Sequence, residues 1–63
     1  MDWRHILEQS FGEIYIGQHV EAKGVWAKIF NITGQDLSVE YVDGSTEIFE
    51  FRYIVEYNVM EFM

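Results

Sequence analysis

The stretch Ile16-Gly-Gln-His-Val-Glu-Ala-Lys-Gly-Val-Trp-Ala-Lys-Ile-Phe-Asn-Ile32, continued by Leu37-Ser-Val-Glu-Tyr-Val-Asp-Gly-Ser-Thr-Glu-Ile-Phe-Glu-Phe-Arg-Tyr-Ile54, decides the fold. Its apolar residues recur with a period of two. Val20 and Ala22 alternate with His19, Glu21 and Lys23. Ala27 and Ile29 alternate with Trp26, Lys28 and Phe30, and Leu37, Val39 and Tyr41 with Ser38, Glu40 and Val42. Ile14 and Ile16 open the pattern against Glu13 and Tyr15. Alternation of this kind marks antiparallel strands with one buried face. The pattern breaks at Lys23-Gly24, at Thr33-Gly-Gln-Asp36 and at Asp43-Gly44, where the residues suit turns. Asp-Gly between two β-rich runs is the best of these signals, because glycine accepts the positive φ that a tight hairpin demands. Short strands following one another so closely predict a small barrel or a strongly bent sheet.

On the N-terminal side the period changes. Trp3, Ile6, Leu7 and Phe11 fall at spacings of three and four, one face of a helix over residues 2–11. Asp2 is placed to cap its start and Gly12 to end it. So short a helix must pack its stripe on something, and the open end of the barrel is the expected place. On the C-terminal side, residues 54–63 read as an extended strand with apolar groups on both faces. An exposed edge there invites a partner strand, including that of a second copy, so a homodimer through the C-terminal strand is one expectation. The reading is therefore mainly β: a single domain over 1–63, with a helix at 2–11, a five-stranded barrel at 14–57 and a closing strand at 54–63.

With 63 residues, the chain buries only about 60% of its unfolded surface. It has no cysteine, so neither disulfides nor thiolate metal sites supplement the core. Being 49% hydrophobic and 17% aromatic, it is too apolar for disorder. No segment approaches the ~20 apolar residues of a membrane span, and no secretory signal is visible. A cytoplasmic location is the expectation, in the host cytoplasm were the chain viral.

Charge is the second strong feature. The formal net charge is −7, and it is lopsided. Residues 1–35 set Asp2, Glu8, Glu13 and Glu21 against Arg4, Lys23 and Lys28. Residues 36–63 set Asp36, Glu40, Asp43, Glu47, Glu50, Glu56 and Glu61 against Arg52 alone. A field of this sign repels phosphate backbones and speeds encounter with basic surfaces. Direct nucleic-acid binding is therefore not expected. Small barrels that bind nucleic acid interleave aromatics with Lys and Arg. Here the aromatics are present and the bases are not.

The elements Gly17, Val20, Ala22, Trp26, Ala27, Ile29, Val39, Tyr41, Asp43-Gly44, Phe49 and Ile54 follow the pattern of a known family. Over roughly residues 16–55 the chain resembles a Tudor domain, one of the SH3-like small barrels. The resemblance implies a barrel that binds rather than catalyses. In the members that read methylated lysine or arginine, three or four aromatics form a cage for the cation. By resemblance Trp26 and Tyr41 take two cage positions. Lys23 or Gly24 stands at the third, and Glu47, with Phe49 two residues on, at the fourth. The implied cage is half filled.

Other chemistry is not signalled. His5 and His19 lack metal-ligand spacing, so no metal or cofactor is expected. Ser10, Ser38 and Ser45 have no neighbouring base to activate a nucleophile. Nor is there a glycine-rich phosphate loop. The chain is expected not to be an enzyme. The main functional expectation is a small acidic module that docks a basic protein or peptide segment, with Trp26, Tyr41, Glu40, Asp43, Glu47, Phe49 and Glu50 making the contact. Aromatics would anchor it and acids would steer it. An alternative is an inhibitor of the kind made by phages, whose carboxylates mimic nucleic-acid charge and block a nucleic-acid-binding enzyme. A chain opening at Met1 without an attached domain fits that stand-alone role. A further alternative is a methyl-lysine or methyl-arginine reader.

Overall fold

The computed structural model describes residues 2–63; Met1, the first residue of the expected domain, lies outside them. The first helix, α1 (Trp3–Phe11), starts and stops where the caps predict. The Asp2 carboxylate accepts from His5 N at 3.3 Å. Gly12, at φ 95°, donates its N–H to Glu8 O at 2.8 Å. Leu7 is buried, with Trp3 and Phe11 partly so.

Five antiparallel strands follow in one sheet: β1 (His19–Ala22), β2 (Val25–Ile32), β3 (Asp36–Tyr41), β4 (Thr46–Glu50) and β5 (Met60–Phe62), in the order β4-β3-β2-β1-β5. The mainly β expectation holds. Among the described residues β4 and β5 share no ladder, so the sheet is open where the expected barrel would have closed. A second helix, α2 (Phe51–Tyr57), connects these two edge strands and packs against α1.

Three boundaries differ from the sequence reading. Ile14 is buried, but residues 14–18 form no strand: the chain turns at Ile16-Gly17, with Gly17 at φ 93°, and the first strand starts only at His19. Gln18, 4% exposed, holds that turn: its Oε1 accepts from Tyr15 N at 3.2 Å and its Nε2 donates to Met63 O at 3.5 Å. The strand expected to run to Ile54 ends at Glu50 and becomes α2. The extended tail expected over 54–63 accordingly shortens to Met60–Phe62. Tyr53, Ile54 and Val55 are strand formers by propensity, but propensity is a weak prior. Helical spacing puts Phe51 and Ile54 fully inside and Val55 partly so, and that burial outweighs it.

The turns follow their residues. Lys23 (φ 52°) and Gly24 (φ 78°) both adopt positive φ, as a two-residue hairpin between Ala22 and Val25 requires. In the β3–β4 hairpin, Gly44 (φ 89°) donates to Tyr41 O at 3.0 Å, and Tyr41 N donates to Ser45 O at 2.8 Å. The β2–β3 turn is tied by Thr33, whose Oγ1 accepts from Asp36 N at 3.0 Å and donates to its carboxylate at 2.9 Å.

One face of the sheet makes the core. Val20, Ala22, Ala27, Ile29, Leu37, Val39, Phe49 and Met60 bury there, and Leu7, Ile14, Phe51 and Ile54 close over them from the helices and the first turn. Phe11 meets Phe62 with ring centroids 5.5 Å apart. The helices thus cover the concave side and leave the other face of all five strands bare. No helix, among the described residues, is long and apolar enough to cross a membrane.

Candidate functional site

The seven contact residues expected from the sequence divide between two faces. Tyr41, Glu47 and Phe49 share the side of the sheet that carries the core. The Tyr41 hydroxyl donates to Glu47 Oε1 at 2.6 Å, and Lys23 Nζ donates to Glu47 Oε2 at 2.7 Å. The ammonium also lies 5.5 Å from the centre of the Phe49 ring. Phe49 stacks on Tyr53 (6.5 Å), which meets Tyr57 (5.0 Å). Lys23 belongs to the β1–β2 turn and Glu47 to β4, and two strands separate β1 from β4. The ion pair therefore bridges the β1–β2 turn to edge strand β4 across the inner face.

Electrostatics follow from these contacts. Burial pushes the Tyr41 hydroxyl up to about 12, helped by its hydrogen bond to Glu47. The hydrogen bonds from Lys23, first, and Tyr41 hold Glu47 below the usual carboxylate range. Lys23 is raised in turn, chiefly by its hydrogen bond to Glu47. Asp43 lies apart in the β3–β4 turn, lowered by the Ser45 hydroxyl (2.6 Å) and backbone N–H (2.9 Å) that it accepts from.

Trp26, Glu40 and Glu50 sit on the opposite, outer face. Trp26 is 45% exposed and stacks on His19, with centroids 5.5 Å apart and planes at 13°. Its strand neighbour Ala27 is the register partner of Tyr41, so Trp26 and Tyr41 point to opposite sides of the sheet. Their rings therefore do not face each other, although both residues border one depression. A shallow depression of about 240 Å³ lies beside Trp26, bordered by His19, Ala27, Lys28, Glu40, Tyr41 and Val42.

The outer face also brings together residues that the sequence reading did not single out. Glu21 stands opposite Trp26 on one side and opposite Glu61 on the other. Asp36 stands opposite Glu50. Phe30, the extra residue where the β2–β3 register shifts between Ile29 and Asn31, is exposed, as is Ile48. Between Asn31 and Ile48, Ser38 is small enough to be only 6% exposed on this face. Two acid–acid pairs thus face each other across ladders, at the β5–β1 side and at the β3–β4 side, with the aromatics of β2 between. Like charges directly opposite each other destabilise a sheet by roughly 0.2–1 kcal/mol per pair. Among the described residues none of Glu21, Asp36, Glu40, Glu50 or Glu61 forms an ion pair, and Lys28, the one Lys or Arg on the strands of this face, stands opposite Glu40 across the β2–β3 ladder.

The signal for this grouping was the alternation itself. Trp26, Lys28 and Phe30 have one parity on β2, and Glu40 has the outward parity on β3 while Tyr41 has the inward one. Among the described residues no three His, Asp or Glu side chains converge to hold a metal ion. No family model matches the chain, and no curated protein or solved structure matches it either. These comparisons add nothing to the resemblance to Tudor domains read from the residues.

Proposed function

We propose that this chain is a non-catalytic protein-binding module whose outer sheet face docks a basic surface or segment of a partner protein. The carrying observation is the pair of facing-acid contacts, Glu21 with Glu61 and Asp36 with Glu50, that flank exposed Trp26 and Phe30 without ion-pair partners. Each acid pair costs the isolated fold stability, and a basic partner turns that cost into attraction. Trp26 and Phe30 supply the apolar anchors that acids alone lack. This division of the acids into two groups around aromatics favours a protein surface over mimicry of a nucleic acid, which calls for a continuous row of charge. Methyl-ammonium reading is less favoured, because the Lys23 ammonium already occupies the space between Glu47 and Phe49.

The test compares the wild-type chain with the Glu21→Gln, Asp36→Asn, Glu50→Gln, Glu61→Gln variant as bait in affinity capture at low salt, with elution by rising salt. The expected result is a basic protein held by the wild type, released by salt and lost from the folded variant. Equal retention by both baits, or retention indifferent to salt, rules the proposal out.

A further inference from the structure

We infer that the partner of this face engages it by adding an extended basic segment as a sixth strand along the β4 edge. This rests on the basic-partner reading above and specifies how that partner binds. The β3–β4 ladder runs without a register shift from Asp36↔Glu50 to Glu40↔Thr46. Phe51 N donates to Gln35 O at 2.9 Å beyond one end of β4, and Tyr41 N to Ser45 O at 2.8 Å beyond the other. The odd-numbered residues therefore bond β3, and the N–H and C=O groups of Thr46, Ile48 and Glu50 point away from the sheet.

Edges are protected by charged side chains, lysine above all, by inward charges, proline, a bulge, shortness or a covering element, and the acids of β4 repel an acidic strand but not a basic one. β4 has no Lys, Pro or register shift. Its one inward charge, Glu47, is paired by Lys23. Ile48, 67% exposed, sits mid-strand on the outer face, with Thr46 and Glu50 to either side. A strand added here gains main-chain hydrogen bonds, and its outward side chains continue the face that holds Asp36, Glu40 and Glu50. Beside Ile48 that surface takes an apolar residue, and beside Glu50 a Lys or Arg.

Charge selects the occupant. A second copy brings another −7, whereas a basic segment brings the opposite sign. The β5 edge is a poorer receiver. It has three residues, and a symmetric pairing centred on Glu61 sets that carboxylate against its own copy.

The experiment uses the full chain, labelled for amide NMR, and a blocked seven-residue peptide of alternating lysine and valine at low salt. The expected result is at least tenfold slower exchange of the Thr46, Ile48 and Glu50 amides on binding. Methylation of alternate peptide nitrogens is expected to weaken binding at least tenfold, as is Ile48→Lys, while Glu13→Gln, an equal loss of charge in the segment between α1 and β1, leaves it within twofold. Binding centred on Trp26 and Phe30 and indifferent to peptide N-methylation overturns the edge mode and keeps the basic-partner reading. Protection of β4 that rises with protein concentration in the absence of peptide assigns the edge to a second copy and overturns the inference. Failure of the peptide to bind the folded chain at low salt overturns it too. If affinity capture still finds a salt-released basic partner, the broader reading survives that failure.

Discussion

The two faces of this sheet are built from the same five strands and follow opposite rules. On the inner face, apolar side chains from every strand meet Leu7, Phe51 and Ile54, and its one charged cluster is internally complete: Glu47 is bonded by both Lys23 and Tyr41. On the outer face, two pairs of carboxylates oppose each other, Lys28 stands opposite Glu40, and aromatics stand in solvent. The inner arrangement lowers the energy of the isolated chain. The outer one raises it. A chain of this size has a small stability margin, and the facing acids narrow it further.

The largest expected effect breaks the inner face. Phe51→Ala removes a fully buried ring where α2 meets the sheet and is expected to cost about 3–5 kcal/mol, comparable to the whole stability of a domain this small. Urea denaturation followed by circular dichroism reads this directly; a variant with an unchanged midpoint would mean that α2 adds little to the core.

Next in size is an effect confined to the outer face. Trp26→Ala is expected to leave the fold intact and weaken partner binding by about 2 kcal/mol, roughly thirtyfold. Calorimetric titration against the captured partner measures it, and loss of folding in place of binding would erase the distinction between the faces.

The pH dependence probes the inner charged cluster. Glu47 is depressed, so its contribution is present above the ordinary carboxylate pKa of about 4 and fades as pH falls through its lowered value. Lys23 and Tyr41 are raised, so theirs are present below about 10 and fade as pH climbs, for Tyr41 towards 12. Glu47→Gln is expected to lower the melting temperature at neutral pH and to flatten the acid side of the profile. Melting curves from pH 2 upward check it; an acid limb as steep as the wild type's would place the titrating group elsewhere.

The smallest expected effect is a gain. Glu21→Gln removes one facing-acid contact and is expected to add roughly 0.2–1 kcal/mol of stability while weakening partner binding. A change of stability and affinity in the same direction would contradict the idea that the outer face trades one for the other.

Local chemistry was legible in the residues. Asp2 and Gly12 bound α1 because a cap depends only on its immediate neighbours. Lys23-Gly24 and Asp43-Gly44 turn because tight hairpins need residues that tolerate positive φ, and a strand follows each. α2 was not legible, since its helical shape depends on where Phe51 and Ile54 find a core to enter. The candidate site was legible in composition and half misplaced in space. Trp26, Glu40 and Glu50 lie on the outer face, while Tyr41, Glu47 and Phe49 are engaged on the inner one.

The amino-acid order by itself determined the class of fold, the first helix, the hairpins and the acidic character of the second half, because each follows from periodicity, turn chemistry or a count of charges. Only the tertiary structure decided that residues 51–57 are helical, that Lys23 reaches Glu47, and that Glu21 faces Glu61. Those outcomes depend on strand order and on the burial of distant side chains, and both arise from the folding of the whole chain rather than from any neighbourhood within it.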